Sequence, residues 1–252
     1  MKKLRVIARL DIKNNTVVKG IHLEGLRVVG RPDELADRYY SQGVDELLYV
    51  DAVASLYERN SLTEIIKAAA RRVFVPMTVG GGIRKIEDIT EILHSGADKV
   101  AVNTAAIRNP EFLRQAVHKF GSQCIVLSVQ AKRRGPGQWE AYTETGRERT
   151  HRDAIAWIRE ALALGVGEVL LTSVDAEGTK KGFDLELVAA AARVCAVPLI
   201  VSGGAGSAQH LVDVLRTPGV DAVAMASVLH YGLLTIGDAK SALRGDGLEV
   251  RL

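Results

Sequence analysis

The feature that most limits how this chain can fold is a stretch that occurs twice. The first copy reads Val75-Pro-Met-Thr-Val-Gly-Gly-Gly-Ile83, then a helical segment, then Gly96-Ala-Asp-Lys-Val-Ala-Val-Asn-Thr104. The second reads Val197-Pro-Leu-Ile-Val-Ser-Gly-Gly-Ala205, a helical segment, then Gly219-Val-Asp-Ala-Val-Ala-Met-Ala-Ser227. Pro76 and Pro198 lie 122 positions apart and Gly96 and Gly219 lie 123 apart, so one insertion separates the copies. Consecutive glycines that end an apolar run and open a helix let backbone N–H groups approach an anion at the helix N-terminus. Either copy alone could be a tight strand-to-helix turn and nothing more. Two copies, each followed by a strand ending in small or polar residues, point to two phosphate sites. They also point to one domain over residues 1–252, built from half-barrels of about 1–122 and 123–252.

Eight short apolar runs alternate with amphipathic segments. The runs are Arg5–Leu10, Glu46–Val50, Phe74–Val79, Lys99–Val102, Ile125–Val129, Glu168–Leu171, Leu199–Val201 and Ala222–Met225. The intervening helices are expected near Pro32–Gln42, Ser61–Arg71, Ile86–His94, Pro110–Phe120, His151–Leu164, Asp184–Val194, Ser207–Leu215 and Ile236–Leu243. Several start at a proline or short polar residue and stop at glycine (Gly43, Gly96, Gly121, Gly165). Strict alternation implies a parallel sheet, and eight units imply a closed (βα)8 barrel of the TIM type. An open doubly wound sheet is the runner-up, but it does not explain a half-chain repeat. In a barrel, chemistry belongs at the C-terminal ends of the strands. Those ends are Asp11, Asp51, Gly80–Gly82, Asn103 with Thr104, Gln130, Thr172 with Ser173, Gly203 with Gly204, and Ala226 with Ser227.

Composition excludes several classes. No 18-residue apolar run exists, and the start Met1-Lys-Lys-Leu-Arg5 lacks an apolar leader, so neither a membrane span nor a signal peptide is expected. Cys124 and Cys195 stand far from any metal or redox spacing and read as reduced core thiols of a cytoplasmic protein. No metal or cofactor is expected. Net charge is +3 from 33 basic and 30 acidic residues without a basic block, which gives nucleic-acid binding no support and suits a small anionic substrate.

Two stretches are long for barrel connections. Lys13–Arg31 carries Lys19, His22, Glu24 and Arg27; Ala131–Thr150 contains the turn signal Gly135-Pro-Gly137 and an alternation around Trp139 and Tyr142 that suits a small hairpin. Loops of this length in a compact domain are more often lids than linkers.

The chain resembles the cyclase subunit of imidazole glycerol phosphate synthase, from histidine biosynthesis. The resemblance rests on collinear segments over most of residues 4–230. They include Arg5-Val-Ile-Ala-Arg-Leu-Asp11, Asp45-Glu-Leu-Leu-Tyr-Val-Asp51-Ala-Val-Ala-Ser55, Thr78-Val-Gly-Gly-Gly-Ile83, Phe120-Gly-Ser-Gln123, Leu170-Leu-Thr-Ser173, Asp175-Ala-Glu-Gly-Thr-Lys180 and Ser202-Gly-Gly-Ala-Gly206. The sister isomerase of the pathway fits the first strand and Leu170–Ser173 less well. The resemblance implies a glutaminase partner that supplies ammonia through the barrel. It implies a bis-phosphorylated aminoimidazole carboxamide ribonucleotide that ammonia cyclises and splits at the top face. By position, one phosphate would meet Gly81, Gly82, Asn103 and Thr104, and the other Gly203, Gly204, Ala226 and Ser227. Lys19 would be the loop lysine that closes over substrate, and Arg5, Glu46, Lys99 and Glu168 the charged ring that admits ammonia, with Asp98 beside it facing the partner.

Two residues depart from that pattern. The family's chemistry uses carboxylates on the first and fifth strands; Asp11 is present, but Gln130 stands where the second is expected. An amide cannot exchange a proton near neutral pH. Side chains alternate along a strand, so Arg5, Ile7, Arg9 and Asp11 share the lumen face, and Arg9 replaces a small or apolar residue. Its charge would pair most simply with Asp11. The other reading has Arg9 reaching outward and the catalytic acid moved to Glu177. Milder departures are Val53 and Ala101, where the family tends toward hydroxyls, and Glu177, where it often has aspartate. The expected function is therefore the ammonia-dependent cyclase at reduced activity. The rivals are a paralogue passing ammonia to another acceptor, such as a sugar being amidinated, and a non-catalytic phosphate-ligand-binding subunit.

Overall fold

The computed structural model describes residues 3–53 and 62–251. Among the described residues, twelve strands form one continuous sheet. They are β1 (Arg5–Lys13), β2 (Thr16–Ile21), β3 (Glu24–Gly30), β4 (Glu46–Asp51), β5 (Met77–Gly80), β6 (Lys99–Val102), β7 (Ile125–Gly135), β8 (Gln138–Thr143), β9 (Glu148–Asp153), β10 (Glu168–Ser173), β11 (Leu199–Ser202) and β12 (Ala222–Met225). Eight of them, β1-β4-β5-β6-β7-β10-β11-β12, pair in parallel, and β12 pairs again with β1, so the sheet closes into a (βα)8 barrel. Strands of such a barrel are buried on both faces. The first eight residues of β1 and all of β10 are accordingly buried.

The α-helices among the described residues are α1 (Pro32–Ser41), α2 (Thr63–Ala70), α3 (Ile86–His94), α4 (Thr104–Arg108), α5 (Pro110–Phe120), α6 (Ala154–Ala163), α7 (Leu185–Ala192), α8 (Ala208–Leu215), α9 (Ser227–His230) and α10 (Ile236–Gly245). Each longer helix buries an apolar stripe against the barrel, as Trp157, Ile158 and Ala161 do on α6. Asp45, Asp98 and Asp221 each precede a strand and accept an N–H from the first or second residue of the neighbouring one, from Val6, Met77 and Leu199, at 2.7–2.8 Å. These three Gly-x-Asp repeats fasten the barrel's lower rim. At the fourth equivalent position stands Gly167, where a Cβ would lie 2.2 Å from the Ser122 carbonyl oxygen.

Some expectations are corrected. Lys13–Arg31 is no open loop: β2 and β3 form an antiparallel hairpin extending β1. The Trp139–Tyr142 hairpin exists and is larger, because β7, β8 and β9 make a three-stranded ribbon. His151 to Asp153 belong to β9, so the helix expected from His151 starts at Ala154, capped by the Asp153 carboxylate. Phe74 lies outside β5 and is 75% exposed, and Ser61, the expected start of α2, falls outside the described residues. Cys124 and Cys195 are only half-buried, because they flank strands rather than fill the core, and the Cys195 thiol donates to the Val197 carbonyl at 3.3 Å. No helix among the described residues is long and apolar enough to cross a membrane.

Candidate functional site

At the lower end of the lumen four charges close a ring. Arg5 donates to Glu46 and Glu168, both at 2.6 Å, and Lys99 donates to the same two carboxylates at 3.1 and 2.8 Å. Every carboxylate oxygen serves one cation, and two positive charges balance two negative ones. Above the ring an apolar layer fills the lumen: Ile7, Leu48, Ala101, Val126, Leu170 and Ile200, with Ala222 and Ala224. Small alanines on two strands leave this layer thinner there than leucines would.

At the mouth the structure sets Arg9 inward, which rules out the outward reading. Its Nε donates to Asp11 at 2.8 Å, and one terminal nitrogen reaches the hydroxyls of Thr172 (3.3 Å) and Ser202 (3.2 Å) across the lumen. Glu177 lies 3.8 Å from the same guanidinium. Lys19 sits on β2 rather than on a loop, is 3% exposed, and donates to the second Asp11 oxygen at 2.9 Å and to Glu177. Burial alone would push the Asp11 carboxyl up, but Arg9 and then Lys19 outweigh it and hold it well below the ordinary carboxylate range. Burial would equally discharge Lys19, but Asp11 and Glu177 raise it and keep it protonated. Arg9, Lys19, Asp11 and Glu177 thus form a sealed cluster of zero net charge. The hairpin is locked over it by the His22 N–H, which donates to the Glu177 carbonyl at 2.8 Å.

The duplicated corners are built alike. Gly81 and Gly82 have φ of 96° and 72°, Gly203 and Gly204 have 94° and 113°, and a Cβ on Gly81 would approach the Asp51 carbonyl oxygen to 2.5 Å. Only glycine fits there. Asn103 and Ala226 share an unusual backbone (φ/ψ near −120°/−84° and −131°/−80°), and each opens a short helix at Thr104 and Ser227. The helices that follow the glycines are not the donors expected: α3 and α8 start four residues beyond Gly82 and Gly204, and Asp88 and Ser207 already cap them. The short helices α4 and α9 are the elements that open at each corner.

The two corners differ in space. Over β4 to β7 lies a cavity of about 320 Å³, lined by Asp51, Gly82, Asn103, Thr104, Gln130 and Glu144 among others. Beside Gly204, Ala226 and Ser227 only about 10 Å³ remains, roughly room for one water. Glu177 lines that half, and its pairing with Arg9 and Lys19 makes the cluster a plug there. Asp51 accepts from the Val53 N–H at 3.0 Å, Ser173 lies beneath the β10–α7 connection and accepts from the Ala176 N–H, and Thr172 faces Arg9. Gln130 is 9% exposed, and its Oε1 has no partner among the described residues.

Sequence reasoning missed Glu144, on the β8–β9 turn. It is 6% exposed, with one oxygen 3.1 Å from Arg108 and the other without a partner among the described residues. Glu144 and Thr145 take left-handed φ of 49° and 58°, a strain of roughly 1–3 kcal/mol each that surrounding contacts must hold. No motif marks Glu144; only its place at the tip of a predicted hairpin above the mouth could have flagged it. Ser128, two residues below Gln130 and also lining the cavity, was findable from strand alternation alone.

A family model described as "Histidine biosynthesis protein" matches residues 5–235. The chain is similar to proteins named "Imidazole glycerol phosphate synthase subunit HisF". The one from Streptococcus sanguinis is 47% identical over 252 residues, covering all of both chains. The one from Legionella pneumophila is 55% identical over 210 residues, 83% of this chain and 99% of that protein, and the one from Myxococcus xanthus is 47% identical over 247 residues, 98% of this chain and 97% of that protein.

Proposed function

The chain belongs to the histidine-biosynthesis family, among the HisF cyclase subunits of imidazole glycerol phosphate synthase, and from that premise we propose how its barrel works. Ammonia enters through the ring of Arg5, Glu46, Lys99 and Glu168, crosses the apolar layer and meets a phosphorylated acceptor at the mouth. The source is a glutaminase seated on the ring face. The acceptor is a bis-phosphorylated aminoimidazole carboxamide ribonucleotide, with one phosphate at Gly81, Gly82, Asn103 and Thr104 and the other at Gly203, Gly204, Ala226 and Ser227. Asp51, Thr172 and Ser173 border it. Asp11 is the proton-exchanging carboxylate, and Gln130 can only orient substrate. Lys19 must release Asp11 and Glu177 before the second phosphate can enter.

The observation that supports this reading most is the closed charge ring under an apolar lumen that leads to a cavity. The same geometry makes the cyclisation slow. A general acid–base partner contributes about 10²–10⁴-fold, and here one is an amide and the other is tied to Arg9 and Lys19. A second reading, transfer of ammonia to another acceptor such as a sugar, is favoured by the plug that leaves one corner open and the other shut. Calorimetric titration separates them. Binding of the bis-phosphorylated ribonucleotide, with slow turnover on added ammonium salt, supports the first. Binding of a sugar phosphate but not of the bis-phosphate supports the second, and binding of neither sinks both.

A further inference from the structure

We infer that Glu144 reads the hydroxyls of a sugar phosphate whose phosphate lies in the Gly81–Thr104 corner, an assignment that rests on reading this corner as a phosphate cradle. The Glu144 backbone N–H donates to the Thr104 hydroxyl at 3.3 Å, so the residue is anchored at the cradle itself. Its turn is pinned on the other side by the Thr145 hydroxyl, which donates to the Ala52 carbonyl at 3.3 Å. The carboxylate is buried, one oxygen faces Arg108 and the other has no partner among the described residues.

A buried carboxylate oxygen left without a donor is costly, so a ligand donor is the natural completion of this cavity. A phosphate cannot be that group, because a phosphate dianion donates nothing and repels a carboxylate. The completing group must lie a few bonds from the phosphate and carry O–H donors, which describes the hydroxyls of a sugar phosphate. Two further acceptors in the same cavity, Gln130 Oε1 and Asn103 Oδ1, also lack partners among the described residues. The cavity is therefore rich in acceptors next to a corner built for an anion. The amide of Asn103 already donates its N–H to the Tyr142 carbonyl at 3.1 Å, which fixes Oδ1 as its free end.

The test titrates inorganic phosphate and ribose 5-phosphate into the full chain and into Glu144→Gln by calorimetry at fixed salt. Replacing the charged acceptor by a neutral one of the same shape weakens ribose 5-phosphate about tenfold. The same change leaves inorganic phosphate unchanged or binds it a few-fold tighter, because a like charge beside the cradle is gone. That difference between the two ligands is one that a purely structural role for Glu144 would not produce. The phosphate titration also reports that the variant is folded. Equal weakening of both ligands, or no change in ribose 5-phosphate, overturns the role of Glu144 while the cradle stands. If neither ligand binds the unaltered protein, the cradle falls and the inference falls with it.

Discussion

Removing Arg9 or Asp11 singly is predicted to cost more than removing both. The pair is 2.8 Å apart and both residues are 3–4% exposed. At an effective dielectric of about 20 its attraction is roughly 6 kcal/mol, and desolvating the two ions costs a comparable amount. The pair is thus near break-even against an apolar replacement. Arg9→Met leaves the cluster at −1 and Asp11→Asn leaves it at +1, and a lone buried charge costs about 3–5 kcal/mol. The double variant leaves the Lys19–Glu177 pair neutral, so it is expected to be no less stable than either single one. The coupling is then about 3 kcal/mol, at the upper end of what contacting residues show. Urea unfolding midpoints of the four proteins measure it. The pH response carries a second signature. Asp11 has a folded pKa below its unfolded value, so its contribution is complete above about pH 4 and fades as pH falls through the folded value; Asp11→Asn lacks that loss. Additive single costs would refute the picture of a mutually neutralising cluster.

Glu140 is held at about 2 against its burial by Arg149, the His151 N–H and Arg134. Stability is therefore expected to fall as pH drops from about 5 through about 2, by about 1–2 kcal/mol after screening by solvent around the arginines, and Glu140→Gln flattens that limb of an acid-unfolding curve. His230 is pushed down to about 4 by burial and then by Lys19, so its contribution is full above about pH 6.5 and is lost as pH falls toward 4; His230→Phe should remove that pH dependence in thermal melts between pH 4 and 7. Asp98 is exposed at the lower rim, and one of its oxygens accepts the Met77 N–H. Asp98→Asn keeps that acceptor and removes the charge, so it should weaken glutaminase binding by a few-fold in calorimetry without lowering the melting temperature.

The barrel was legible because alternation of short apolar runs with amphipathic segments leaves few other closed solutions. Arg9 was legible too: two-residue periodicity along β1 puts it on the Asp11 face, and burial leaves a charge there nothing to do but pair. The β2–β3 hairpin was hidden because Ile21 and Val28 are exposed and its pairing shifts register twice, which erases the alternation that marks a strand. The inequality of the two corners was also hidden. Their sequences match, but the space beside Ser227 is lined by Glu177, which Arg9 and Lys19 hold from the β1–β2 stretch, far away in sequence. Glu144 escaped notice because a single carboxylate on a turn has no pattern until the fold sets it over the mouth.

On the proposed function, Gln130 and Arg9 together hold back the cyclisation. Single-turnover cyclisation of the bis-phosphorylated ribonucleotide, with ammonium salt supplied directly, tests it without a partner. Gln130→Asp alone should recover part of the rate, because Asp11 stays tied to Arg9. Gln130→Asp with Arg9→Cys should exceed the product of the two single gains. Turnover by the unaltered protein at about 1 s⁻¹ or faster, an ordinary enzyme rate, or a double variant no better than the single ones, would contradict it.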